Sequence, residues 1–377
     1  MPSPEKLLRD LIALPSVNPA FLPPGDSRAG EKRVAGFLAD AAAKAGLDVE
    51  WQEVFPNRSN LIVRLLPAGK VRQRVLLAPH MDTVGVSSDE QFTPVLRNGR
   101  LYGRGACDTK GSIAVMFAAL AQLAAAKERP PHTEFTLAAL VDEESGQGGS
   151  RFLAKSRFKA DLAIVGEPTR LQIVTAHKGD LWLQLETTGK AAHGSRPELG
   201  RNAVHLMAKI VHLLETDYAS QLRRRRHPLL RHATINVGTI SGGRQPNIVP
   251  DRCAIRIDRR TVPGESDPAV KREILSYIRR RGLAATMLDT KHEEPAPPLE
   301  TDPRLPLVKQ FLLSAGQKKP AGVDFFTDAG VLAAAGIPSV VFGPGDIAQA
   351  HTTDEWVAMS QLERGARLLT RFLSGLQ

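Results

Sequence analysis

Short apolar runs alternate with longer segments of helical spacing through the first part of the chain. Residues 61–63, 75–77, 135–141 and 162–165 read as buried strands. Residues 29–45 read as a helix closed by Gly46, whose freedom at positive φ suits a helix end. Residues 110–126 form an alanine-rich helix fit for close packing on a sheet. This alternation predicts an α/β fold, a mostly parallel sheet flanked by helices.

From residue 178 to 290 the order changes. Strand 181–186, helix 202–214, strands 234–239 and 253–259, helix 268–281 and strand 284–288 follow one another. That βαββαβ order is the ferredoxin-like α+β arrangement. Residues 292–306, rich in proline and acids, read as a return linker, and 307–315 and 338–342 resume as helix and strand. The expected organisation is a discontinuous α/β domain, residues 1–177 and 291–377, with an inserted α+β domain, residues 178–290.

Composition alters this picture little. The chain has 377 residues, 42% hydrophobic and 24% charged, as in ordinary globular proteins. Its two cysteines, Cys107 and Cys253, cannot build a disulfide framework, so a reducing, cytoplasmic setting is expected. The residues Met1-Pro2-Ser3-Pro4-Glu5 lack the basic and apolar regions of a signal peptide. No apolar run approaches the ~20 residues that span a bilayer, so no membrane association is expected. The net charge of +10 is carried partly by Arg223–Arg226 and Arg279–Arg281. No aromatic residues interleave with these runs, and each closes a helix-like segment, where positive charge is favourable. They read as solvated surface rather than a nucleic-acid patch.

The chemistry lies just past the strands. His80-Met81-Asp82, Asp108 after a glycine-rich turn, Asp142-Glu143-Glu144, Glu167, and His351 after a Gly-Pro loop form one acidic and imidazole set. Open α/β sheets place their sites at the carboxyl ends of strands. At a strand's period of two, His80 and Asp82 face the same way, so Asp82 can hold the second imidazole nitrogen. Asp108 can give one oxygen to each of two ions, or cap the helix it precedes. Of the adjacent Glu143 and Glu144, one can ligate while the other faces a bound water. Nitrogen and oxygen donors without thiolate suit zinc, with cobalt or manganese as substitutes. Cys107 reads as a buried, inert thiol.

The segments Pro79–Val84, Gly103–Gly111 and Asp142–Glu144 together resemble the superfamily of co-catalytic zinc hydrolases. That superfamily includes acetylornithine deacetylase, succinyl-diaminopimelate desuccinylase, aminoacylase-1 and the glutamate carboxypeptidases. The resemblance implies two Zn2+ per subunit: His80 and Glu167 on one, Glu144 and His351 on the other, Asp108 bridging. It implies Asp82 as the residue that orients His80, and Glu143 as general base. It also implies a homodimer formed through the inserted domain, with His193 of Ala192-His193-Gly194-Ser195 reaching the partner's active site. Asn247 and Arg259 are implied as substrate-carboxylate contacts, with the turn Gly343-Pro344-Gly345 beside the substrate.

The stretch 342–351 and His177-Lys178-Gly179 resemble the acetylornithine deacetylase branch most, and Asp346 could favour a cationic substrate side chain. The expected activity is hydrolysis of N-acyl-L-amino acids. A desuccinylase, or a carboxypeptidase or dipeptidase, would keep the same core. A metal-stabilised peptide-binding scaffold is the non-enzyme alternative, which the retained base Glu143 disfavours.

Overall fold

The computed structural model describes residues 3–288 and 294–377. The chain divides into two compact units, one of Met1–Thr175, Glu300–Ala321 and Thr327–Gln377, the other of Ala176–Leu299 and Gly322–Phe326. The crossing expected at 290/291 lies outside the described residues.

The first unit is built on a sheet with strands in the order Asp48–Phe55, Arg58–Leu65, Thr133–Ala139, Gln73–Pro79, Leu162–Gly166, Ser339–Val341, Val174–His177 and Leu299–Glu300. The four strands from Thr133–Ala139 to Ser339–Val341 run parallel. Their residues are buried almost without interruption, which is why they read as apolar runs rather than alternations. An antiparallel hairpin flanks them on one side, and an antiparallel pairing on the other. The helix Lys110–Ala124 is buried on nearly every face. Gly111 permits its close start: a Cβ there would stand 2.5 Å from the Ala106 carbonyl oxygen.

Several elements escape the sequence reading, three of them prominent. The helix Pro4–Ile12 packs Leu7, Leu8, Leu11 and Ile12 into the core. The strand Asp48–Phe55 lies at the sheet edge with a polar, largely solvated pattern. The amphipathic helix Met359–Ser374 buries Leu362, Leu369, Phe372 and Leu373.

The second unit is a four-stranded antiparallel sheet in the order Thr234–Gly242, Arg252–Thr261, Gly179–Thr188, Thr286–Leu288. With its helices Ala203–Leu213 and Asp267–Arg279 it has the ferredoxin-like arrangement. A π turn over Leu214–Tyr218 joins the first helix to Ala219–Arg224. The arginine runs close helices, as the charge pattern suggested, and two of their members tie this layer together. Arg225 pairs with Glu273 at 2.7 Å and Arg281 with Asp217 at 2.9 Å. Among the described residues, no helix is long and apolar enough to cross a membrane.

The returning segments close the first unit's core through Phe311, whose ring lies 5.1 Å from Phe342 and 4.5 Å from Phe372. Phe311 is fully buried. Phe311→Ala is expected to cost about 3–5 kcal/mol, as large-to-small core substitutions of Phe do. Denaturant unfolding checks this, and a loss below about 1 kcal/mol would show that the cluster is not part of the cooperative core.

Candidate metal centre

Sheet register gathers the first candidate ligands. Pro79 pairs with Gly166 in parallel register, so His80 and Glu167 emerge side by side. A parallel bridge between His80 and Leu140 brings the turn with Glu143 and Glu144 to the same rim. Thr109 Oγ1 donates to the Gly166 carbonyl at 2.8 Å, tying the start of the helix Lys110–Ala124 to the Glu167 strand. The residue before it, Asp108, does not cap this helix. Thr109 occupies the cap position, its side chain making no capping hydrogen bond to the helix.

Asp108 instead splits its two oxygens. Oδ1 lies 3.1 Å from His80 Nε2, and Oδ2 lies 3.2 Å from His351 Nε2. Each imidazole meets a second carboxylate: His80 Nε2 is 3.6 Å from Glu167 Oε1, and His351 Nε2 is 3.0 Å from Glu144 Oε2. His80, Asp108 and Glu144 form one group whose donor atoms lie within 4.8 Å of one another, and His80, Glu143 and Glu167 form another.

The electrostatics suit bound cations. Burial pushes the Glu143, Glu144 and Glu167 carboxyls up, Glu144 to about 7, with neighbouring carboxylates adding to the rise. Burial also opposes ionisation of Asp108, yet the hydrogen bonds of His351 and His80 hold it well below the usual range. Asp108 and Glu144 in turn lift His351 to about 10. Glu144 Oε1 and Glu167 Oε1 are buried without a hydrogen-bond partner, a costly condition for a carboxylate oxygen. The all-oxygen-and-nitrogen donor set and these orphaned oxygens fit a pair of divalent ions.

Behind the ligands stand residues that orient them. His80 Nδ1 lies 3.0 Å from the Asp82 backbone carbonyl and 3.4 Å from its carboxylate. The carboxylate's shorter contacts are elsewhere. It accepts the backbone N–H groups of Glu143 and Glu144, each at 3.1 Å, and Asn18 Nδ2 at 2.8 Å. Glu355, which the sequence reading missed, accepts the backbone N–H groups of Gly105, Cys107 and Asp108 at 2.8–3.0 Å and Arg104 Nη1 at 2.7 Å. It follows His351 by four residues, so a buried carboxylate joins the His351 segment to the loop that presents Asp108. Asp328 was also missed. It is buried and bonded to Ser150 Oγ, and burial pushes its carboxyl to about 6. Nothing in a lone Glu355 or Asp328 marks them in a sequence.

The expected substrate contacts divide. In the second unit, His193 is exposed, and its Nδ1 lies 2.7 Å from Ser195 Oγ and 3.2 Å from the Ser195 backbone nitrogen, with Nε2 outside these contacts. Asn247 is exposed beside it, and its carbonyl accepts the Gly194 N–H at 2.7 Å. Arg259 is placed otherwise: its side chain is 0% exposed, with Nη2 at 2.6 Å from Glu265 Oε1. That pairing gives it a structural job and no surface with which to meet a substrate. Arg260, the next residue along the strand, is the partly exposed guanidinium, held by Asp258 at 2.8 Å.

In the first unit, Gly343 and Gly345 are buried, not open beside a ligand. A Cβ on Gly343 would collide with Ser112 Oγ and the Glu167 carbonyl, and one on Gly345 with Cys107 Sγ. Both serve close packing. Asp346 pairs with Arg170 and accepts the Ala348 N–H at 3.2 Å, so it offers no free carboxylate to a cationic substrate. Cys107 is buried, and burial raises its thiol pKa, in keeping with an inert group.

Comparison with known proteins places this arrangement. Residues 76–375 match the profile of peptidase family M20/M25/M40. The chain is 32% identical, over 98% of its length and 95% of the relative's, to an acetylornithine deacetylase of Proteus mirabilis (strain HI4320). Among solved structures it resembles the aminopeptidase PepT of Bacillus cereus, with a TM-score of 0.76 and 24% identity over 99% of this chain and 98% of that one. It also resembles a dinuclear metal-binding M20 peptidase of Bacillus subtilis, with a TM-score of 0.71 and 13% identity over 98% of this chain and 96% of that one.

If Arg259 serves the fold, Arg259→Leu leaves Glu265 with an unmatched, largely buried charge. A loss of about 3–5 kcal/mol in unfolding free energy is expected, as when one partner of a buried pair is removed. A stable variant with only a raised KM would restore Arg259 as a substrate contact.

Proposed function

Since the chain belongs to peptidase family M20/M25/M40, whose members make it a metal-dependent hydrolase, we propose that it cleaves the amide bond of an N-acyl-L-amino acid, with acetylornithine as the leading substrate. The observation that carries this reading is the division of Asp108. One oxygen meets His80, which also meets Glu167, and the other meets His351, which also meets Glu144, a suitable bridge between two ions. The identity to an acetylornithine deacetylase over nearly the whole chain supports the substrate.

In this proposal His80, Glu167 and Asp108 hold one ion, and His351, Glu144 and Asp108 the other. Zinc is the proposed metal, and cobalt or manganese suit the same donors. Ions so held would acidify a water and polarise the scissile carbonyl. Glu143, within the cluster but unpaired by either imidazole, takes that water's proton and delivers it to the leaving amine. Asp82 holds both His80 and the turn that presents the base.

His193 donates to the oxyanion across a homodimer through Nε2, which lies outside the Ser195 contacts of Nδ1. Asn247 beside it contacts the substrate's polar end. The exposed edge strand Thr234–Gly242 is the proposed dimer contact, since an unpaired edge favours pairing. Two free, buried cysteines suit a cytoplasmic, reducing setting.

A hydrolysis screen of N-acetyl, N-succinyl and dipeptide substrates with zinc or cobalt added tests the substrate class. Preferred turnover of N-succinyl substrates or dipeptides would overturn the deacetylase reading while leaving the core intact. Glu143→Gln is expected to retain its metal, by elemental analysis, while turnover falls about 10²–10⁴-fold. Near-normal turnover would assign the base elsewhere. His193→Ala is expected to lose about 10²–10³-fold with metal unchanged. Mixed with Glu143→Gln, it should regain activity, because one site of the heterodimer then has both groups. A mixture as inactive as its components, despite verified subunit exchange, would rule out the cross-subunit role.

A further inference from the structure

The turn that carries Glu143 and Glu144 starts in a backbone conformation that side chains rarely adopt: Asp142 has φ +71°. Such a residue persists only where its surroundings over-determine it. Here the surroundings form a closed ring of buried polar groups. Asn18 uses both amide hydrogens, one on Asp82 Oδ2 at 2.8 Å and one on Asp142 Oδ1 at 3.0 Å. Its own carbonyl oxygen accepts the Ala20 N–H at 3.0 Å, so the amide's orientation is fixed. Arg58 also reaches Asp142 Oδ1, at 3.1 Å, and grips Glu31 through two nitrogens at 2.9 and 2.6 Å. Glu31, buried, returns to the turn by accepting the Asp142 backbone N–H at 3.3 Å. Asp82 closes the ring by accepting the N–H groups of Glu143 and Glu144.

None of Asn18, Glu31 and Arg58 touches the ligand cluster. Each acts on it through Asp82 or Asp142. Three carboxylates packed this closely repel, and Arg58 is the cation that lets them share the space. We propose that Arg58 and Asn18 are positioning residues for the general base: by bridging Asp82, Asp142 and Glu31 they fix the turn from which Glu143 meets its water. This rests on the reading of Glu143 as the base. Arg is required over Lys, because only a planar fork satisfies Glu31 bidentately while reaching Asp142.

The test compares Arg58→Gln, Arg58→Lys and Asn18→Leu with the native protein, metal-loaded and metal-free. Amide hydrogen exchange across residues 141–147 is expected to quicken at Glu143 and Glu144 in Arg58→Gln and Asn18→Leu, in both states, while the sheet's protection is kept. Metal stoichiometry should be unchanged. On whichever amide the native enzyme cleaves, kcat is expected to fall about 10–100-fold, in the range typical when an outer partner of a site is removed, with KM within about twofold. Arg58→Lys should recover part of kcat.

Native exchange and native kcat in the Gln and Leu variants would overturn the proposal. So would a loss of kcat that merely tracks loss of metal or global unfolding. If exchange quickens and metal stays but kcat holds, the ring positions the turn and the base assignment to Glu143 is what fails. The exchange readout does not depend on which substrate the enzyme takes.

Discussion

The constraint on which the rest depends is the gathering of acids in a protein interior. Asp82, Asp108, Glu167, Glu31, Asp142, Asp328 and Glu355 are all buried in one unit, and Glu144 nearly so. Isolated carboxylates in such a place neutralise or force the fold apart. The structure meets this by dividing them into two groups. Of those facing inward to the cluster, Glu144 and Glu167 each keep an orphaned oxygen, a condition that suits metal ions. Those behind are each met by an amide, a guanidinium, a hydroxyl or backbone N–H groups, so their charge holds loops in place. The ligand and supporting carboxylates thus differ less in residue type than in what the backbone offers them.

The parallel strands are what make this division possible. They end together at one rim, and each delivers a short loop there, so ligands distant in sequence meet with little chain spent on the approach. The loops are held from the outside by Glu355, Asp82 and the Asn18–Arg58 ring, and from the inside by glycines that admit no side chain. Gly343 lies so close to the Glu167 carbonyl that the fold and the ligand's position are one requirement.

Much of this was legible beforehand because it rests on period and adjacency. Buried parallel strands show as apolar runs, and His80 and Glu167, each one residue past such a strand, stand out as candidate ligands without coordinates. The βαββαβ order of the second unit was equally readable. What stayed hidden depends on long-range pairing. Glu355 and Arg58 find their partners across large sequence distances, and an isolated Glu or Arg carries no sign of them. The burial of Arg259 stayed hidden for a related reason. It and Arg260 stand next to each other on one strand, and only burial reveals which faces the core. Gly343 and Gly345 were placed in the right loop, but a glycine reads the same whether it opens room for a ligand or lets backbone press on backbone. Asp48–Phe55 was missed because an edge strand facing water lacks the apolar pattern that identifies its neighbours.

The carboxylate of Glu355 has a consequence for how the site comes into being. His80 and Asp108 belong to the first third of the sequence, whereas His351 and Glu355 sit near its end. A chain that has folded its sheet but not yet docked this last segment has Asp108 facing a single imidazole, on a loop whose N–H groups have no acceptor. Both halves of the cluster therefore depend on one non-local contact, between the 104–108 loop and the 351–355 segment.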